Sequence, residues 1–235
     1  MALAAVPFSL SRPGILVGLK AEAGLIRSVF PHAAIAASGA TRTGAQREAA
    51  RLAACGVNCL LSFGLAAGLD PSLPAGTIVV PATVKGWQST WTCDATLRHI
   101  LGGEQPGTIG GALLHSDDVV LDAAHKAELF AASHCAALDM ESAFLARAAE
   151  EAGLPFAVLR VICDPASRSL PPVAASVLSP DGGLQVGTLL RSLLRHPGQI
   201  GGLIRLGQDA GMARKAMLNF LRAQKDRPAF QRLAA

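Results

Sequence analysis

Tyrosine is absent from this 235-residue chain, and aromatic residues of every kind make up 4% of it. That scarcity counts against a nucleic-acid surface, where aromatic rings usually interleave with a run of basic side chains. Cysteine is sparse and odd in number. Cys55, Cys59, Cys93, Cys135 and Cys163 form no CxxC pair, so they indicate neither a disulfide framework nor a zinc knuckle, and a reducing cytoplasm suits them. No GxSxG elbow occurs, and the six histidines never fall into HExxH spacing, which removes the sequence support for a serine hydrolase or a metalloprotease. "GATRTG" (39–44) has the two glycines of a phosphate-binding P-loop, but Ala45 and Gln46 stand where Lys and Ser/Thr belong. "GLKAEAG" (18–24) lacks GxGxxG spacing, which disfavours a dinucleotide fold.

Two apolar stretches invite a membrane reading. The opening "MALAAVPFSLSRPG" has no basic n-region and no long apolar run, so a signal peptide is not expected. Residues 52–69 carry no charge, but Gly56, Asn58, Ser62 and Gly64 interrupt them. They read as a helix end, a buried strand and a Gly-rich loop.

What the chain does have is a core. Hydrophobic residues make up 51% of it, enough for one sizeable domain over residues 1–235. Short apolar runs alternate with stretches of helical spacing: "GILVGL" (14–19), "AAIAAS" (33–38), "VNCLLSFG" (57–64), "GTIVVPATV" (76–84), "GTIGGALLHS" (107–116) and "FAVLRVIC" (156–163), with helices including one from Glu141 to Glu151. Alternation of this kind predicts an α/β fold with a mostly parallel twisted sheet covered by helices on both faces. The core spans about 14–165. A helical appendage, about 184–223, carries Arg191, Arg195, Arg205, Arg214, Lys215 and Arg222. Its apolar face packs on the sheet in the simplest reading; a second reading sets the cations against anionic lipid headgroups. The net charge of +4 agrees with an anionic ligand or surface.

In such a sheet the ligand crevice lies beyond the carboxyl ends of the strands. Asp139, Met140 and Glu141 fall at one such end and Asp164 at another. Glu141 at a helix start can accept paired hydroxyls, as a ribose diol presents them, and a second carboxyl raised in pKa can give a proton to a leaving group. Helix capping by Asp139 or Glu141, and a turn begun by Asp164 before Pro165, explain the same residues without a site.

"LDMESA" (138–143) followed by "LRVICD" (159–164) resembles the paired signature of the nucleoside phosphorylase superfamily, which includes purine nucleoside phosphorylases and methylthioadenosine/S-adenosylhomocysteine nucleosidases. "SFGLAAGLDPSLPAGTIVVP" (62–81) resembles the family's central strand, glycine loop and next strand, and "GILVGLKAEAGLIR" (14–27) its first strand and turn. The resemblance implies cleavage of the N-glycosidic bond of an adenine nucleoside: Met140 and Glu141 on the ribose, Asp164 protonating N7, and Val120 and Arg160 beside the base. It implies no metal or organic cofactor, a purine nucleoside as partner and a homo-oligomer. Ser62 and Leu65 replace an Arg and a Ser that phosphorolytic members use, Cys163 replaces a Ser, and Val120 stands where an aromatic is expected. Ser38, Arg42, Lys20 and the N–H groups around Gly64 are the substitutes for a phosphate co-substrate, and Glu22 is the candidate base for water. The first turn, the short glycine loop and the basic tail are most similar to the hopanoid-associated branch, linked to removal of adenine from adenosylhopane. That similarity favours phosphorolysis, with hydrolysis or non-catalytic binding as alternatives.

Overall fold

A computed structural model describes residues 11–170 and 200–235. The chain order is β1 (Pro13–Val17), α1 (Lys20–Arg27), β2 (Ala34–Ala37), α2 (Arg42–Ala54), β3 (Cys59–Gly68), β4 (Ile78–Val79), β5 (Thr83–Gly86), β6 (Ser89–Thr92), α3 (Ala95–Ile100), β7 (Thr108–Ile109), β8 (Ala112–His115), α4 (Ala123–Ser133), β9 (Ala137–Asp139), α5 (Ser142–Ala152), β10 (Phe156–Asp164), α6 (Ile200–Ala223) and α7 (Pro228–Ala234). One sheet takes them in the order β6-β5-β8-β9-β3-β10-β4-β7, with β1 on β3 and β2 on β1. Most pairings are parallel; β3 with β9, β10 with β4, and β5 with β6 are antiparallel.

Strand periodicity sorts the core into two layers. On β10, Phe156, Val158 and Ile162 join a cluster with Leu52, Phe144 and Leu145 of α2 and α5. Ala157, Leu159 and Val161 point the other way, toward Ile26, Phe30, Leu97, Met217, Leu221 and Phe230. The same alternation sends Arg160 and, on the neighbouring strand, Ser62 to the α5 side, where both are fully buried. The described part of the tail packs on the sheet as its apolar spacing suggests: Ala213, Met217 and Leu221 of α6 are buried there. Arg191 and Arg195 lie outside the described residues. No described helix is long and apolar enough to cross a membrane, and residues 52–69 form the end of α2, a turn and β3. The five cysteines are unpaired.

Several boundaries differ from the sequence reading. The run 76–84 is broken at Pro81 into β4 and β5, because proline cannot donate to a ladder. Likewise 107–116 divides at Gly110 and Gly111, the latter at φ 54°. The glycine loop expected after residue 64 is strand as far as Gly68, since Leu65, Ala66 and Ala67 find partners on β10. The β5-β6 hairpin has no local sequence signal: its two turn residues, Trp87 and Gln88, both have positive φ, where Asn-Gly is the usual pair.

The long β3 also creates the site. One of its edges pairs with β1 over Cys59–Phe63 and with β9 only from Ala67 on. Between them Gly64, Leu65 and Ala66 have no strand on that edge. Because β1 runs parallel to β3 and β9 antiparallel, both carboxyl ends point into this gap.

Gly44 in the first turn of α2 holds one wall. A Cβ there would lie 1.8 Å from the Ser38 carbonyl oxygen and 2.7 Å from Thr41 Oγ1, the cap that accepts the Gly44 N–H. Gly44→Ala is expected to lower stability by at least the ~1–3 kcal/mol typical of overpacking, and to displace Ser38. Urea unfolding of the two proteins measures this; equal midpoints would contradict it.

Candidate active site

The gap opens into a cavity lined by Gly18, Leu19 and Glu22 from the β1-α1 turn, Gly64–Ala67 from β3, Leu138–Glu141 from the β9-α5 junction, Cys163 and Asp164 from β10, and Val119, Val120, Leu170 and Leu206. Carboxylates from three elements thus face one apolar space.

Arg160 organises the deep side. Its guanidinium donates through Nε to Asp139 Oδ2 at 2.6 Å and through Nη2 to Ser62 Oγ at 2.7 Å and Ser142 Oγ at 3.2 Å, with Nη2 in ion-pair contact with Asp139 Oδ2 at 2.5 Å and Glu141 Oε2 at 3.6 Å. It does not line the cavity, so its expected place beside the base is corrected: β-strand alternation turns it toward α5, behind Asp139 and Glu141. Asp139, with Oδ1 accepting the Ser142 N–H at 3.3 Å, caps α5. Glu141 occupies the N-cap position but makes no capping bond, which leaves its carboxylate to the cavity. Of the two explanations for this pair, capping therefore belongs to Asp139 alone.

Glu141 is held by Ser38, whose hydroxyl donates to Oε1 at 3.3 Å and accepts the Ala40 N–H at 3.0 Å. Burial pushes Glu141 up to about 7; Arg160 opposes the rise, while Asp139 and Glu22 add to it. Glu22 is 2% exposed rather than a solvated helix charge. Its Oε2 accepts the Leu19 N–H at 2.9 Å, and burial raises its pKa against Arg160 and Arg214. A Cβ on Gly18 would come within 3.3 Å of both Glu22 Oε2 and Glu141 Oε1, so the bare backbone lets the two carboxylates approach.

At the other end, Asp164 Oδ2 takes a 2.5 Å ion pair from Lys126, a side chain with no exposed surface. Oδ1 is buried with no hydrogen-bond partner among the described residues. Burial raises the Asp164 pKa, and Lys126 pulls it down. Val120, 6% exposed, also lines the cavity, with Val119 and Leu170, and among the described residues no aromatic ring does.

The remaining sequence candidates separate. Met140 and Gly64 line the cavity, whereas Ser38 stands behind Glu141. Lys20 is exposed, and Arg42 is exposed and paired with Asp117 at 3.3 Å on the rim. Neither lines the cavity, which corrects their expected place in it: at the first positions of α1 and α2 they point outward, while the turns preceding them face inward. Lys126, Ser142, Leu170 and Leu206 were missed. A lone lysine in an otherwise unremarkable helix carries no spacing signal; its buried partner lies 38 residues away.

Comparison with known proteins agrees with this architecture. Among solved structures, 5′-methylthioadenosine/S-adenosylhomocysteine nucleosidase from Helicobacter pylori superposes with a TM-score of 0.69 at 15% identity, covering 93% of this chain and 99% of that one. Futalosine hydrolase of Helicobacter pylori gives 0.69 at 15%, covering 92% and 98%. The 5′-methylthioadenosine/S-adenosylhomocysteine nucleosidase from Neisseria meningitidis gives 0.65 at 13%, covering 92% and 99%. At such identities these likenesses speak to the fold. No curated protein sequence matches. The family model described as the phosphorylase superfamily matches residues 20–176, two-thirds of the chain, which takes in every element from α1 through β10. The chain therefore belongs to the phosphorylase superfamily, as an enzyme of the nucleoside phosphorylase or nucleosidase type.

Proposed function

We propose that this enzyme hydrolyses the N-glycosidic bond of an adenine nucleoside, with water rather than phosphate as the nucleophile. The observation that carries the choice is the sign of the charge in the cavity. Glu22, Asp139, Glu141 and Asp164 line it, and among the described residues no Lys or Arg does. A phosphate dianion needs cationic or paired N–H donors, and here it would lie against carboxylates in a low-dielectric space. The side chains that would favour phosphorolysis are placed elsewhere: Arg42 is paired with Asp117, Ser38 with Glu141, and Lys20 is exposed outside the cavity. A buried carboxylate of raised pKa in the position of Glu22 suits the deprotonation of water instead.

In this reading the water oxygen attacks C1′ as the C1′–N9 bond breaks, Glu22 takes the water proton, and the electron pair left on the base is neutralised by a proton passed from Asp164 Oδ1 to N7. Glu141 accepts hydrogen bonds from the ribose hydroxyls while positive charge develops at C1′, and Met140 packs beneath the sugar. The walls formed by Leu19, Leu65, Val119, Val120, Leu170 and Leu206 suit an apolar 5′ substituent. Adenosylhopane, suggested by the resemblance, is one nucleoside with that property.

Product analysis decides the nucleophile. Hydrolysis releases a free reducing sugar at the same rate with and without phosphate, and Glu22→Gln should lower that rate by about two decades or more. Ribose 1-phosphate formed only when phosphate is added would establish phosphorolysis instead.

The acid has its own test. Asp164→Asn, which keeps a donor but holds no transferable proton, should lose about two to four decades in kcat on an adenine nucleoside while unfolding normally. Turnover close to that of the unaltered enzyme would remove Asp164 from the mechanism.

The ribose carboxylate predicts a pH dependence. Glu141 is raised to about 7, and its ionised form is the better hydroxyl acceptor, so riboside affinity should strengthen as pH rises from about 6 to about 8. Free adenine, which has no ribose, should bind without that rise. Calorimetric titration of both ligands, repeated with Glu141→Gln, reads the difference; parallel profiles for the two ligands would assign Glu141 another role.

A further inference from the structure

Among the described residues Lys126 is the most completely buried cation outside the Arg160 network, and the mechanism above leaves it without work. It sits in the first turn of α4, and all three of its ammonium protons go to one short segment. Asp164 Oδ2 lies at 2.5 Å, the Arg168 carbonyl at 2.9 Å and the Pro165 carbonyl at 3.3 Å. A buried ammonium needs an anion and further acceptors around it, and this turn supplies both. The two oxygens of Asp164 are therefore unlike: Oδ2 is occupied by the ammonium, and Oδ1 is buried, unpartnered among the described residues and part of a residue that lines the cavity.

We propose that Lys126 is a positioning residue for the leaving-group acid: by pinning Oδ2 it leaves Oδ1 as the one atom of Asp164 that can meet the departing base, and it fixes the 164–168 turn that sets that atom's direction. The inference rests on the reading of Asp164 as that acid. A carboxyl free to rotate would divide its time between two oxygens and several directions, whereas a pinned one is already oriented when the base arrives. Four charged or titratable groups act around Asp164. Lys126 comes from α4, Cys163 adjoins on β10, and Arg168 and Asp209 are ion-paired to each other between the turn and α6, so that their effects largely oppose. Lys126 is the one that touches the carboxylate.

The test separates action through the acid from a merely structural tie between α4 and the turn. Lys126→Met and Lys126→Gln are assayed on an adenine nucleoside and on 4-nitrophenyl riboside, whose leaving group departs without a proton. On the adenine nucleoside kcat should fall about tenfold or more with KM changed less than about twofold, while the aryl riboside is cleaved at nearly the unaltered rate. An acid works only below its pKa, and loss of the ammonium raises that pKa, so the alkaline limb of the adenine-nucleoside rate should move up by about one pH unit or more. Equal losses on both substrates, or an unmoved limb, overturn the proposal. If the Met variant does not fold, the Gln variant, which keeps a donor but no charge, decides the matter through the same limb. Asp164→Asn is the control: full activity in that protein defeats the acid reading itself, whereas its loss beside unaffected Lys126 variants defeats only the role of Lys126.

Discussion

A guanidinium with no exposed surface has to be neutralised where it lies, and that requirement on Arg160 shapes this site. Removing one partner from such a pair leaves a stranded charge, at about 3–5 kcal/mol in typical cases. The residues that meet the need also build the deep side of the cavity: Asp139 at the end of β9, Ser142 in the first turn of α5 and Ser62 on β3. Because Asp139 is engaged in both the ion pair and the α5 cap, Glu141 is released from capping and turned to the cavity. One buried cation thus couples the β9-α5 junction to β3 and β10.

The cavity's carboxylates are tuned by different surroundings. Glu22 and Glu141 share a backbone-lined recess at Gly18, where burial raises both, Glu22 adds to the rise of Glu141, and Arg160 restrains both. Asp164 is touched directly by Lys126, with the opposed charges of Arg168 and Asp209 acting beyond it. Two opposing cations behind the carboxylates, rather than in front of them, keep the open space free of positive side chains among the described residues. In the hydrolysis we propose, that arrangement suits a neutral nucleophile and a substrate whose own positive charge appears only in the transition state.

The apolar walls come from separate parts of the chain. Leu19 and Leu65 flank the gap in the sheet, Val119 and Val120 follow β8, and Leu206 arrives on α6 from beyond residue 199. The tail is therefore more than a cover for the sheet: one of its side chains borders the space where a ligand would lie, while Ala213, Met217 and Leu221 anchor the same helix to the core.

Much of this was determined by the sequence alone. Apolar runs alternating with helical spacing specify a covered, mostly parallel sheet, because each run must bury both faces; carboxylates placed just after two such runs must then fall at strand ends. Asp139, Met140, Glu141 and Asp164 could be located in this way, with Glu22 and the family added by the likeness of short motifs. What only the tertiary structure decided was which side chains face inward and what touches them. By sequence Lys20 and Arg42 are as available as Glu22, yet on α1 two helical positions separate an exposed cation from a buried carboxylate. Arg160 was expected beside the base, and strand alternation turned it to the α5 face. Lys126 and Asp164 are 38 residues apart, with no periodicity linking them, and burial in a shared pocket made them a pair. Local pattern records which residues can lie at an end or on a face; compensation of buried charge is a long-range condition, met only once the chain has folded.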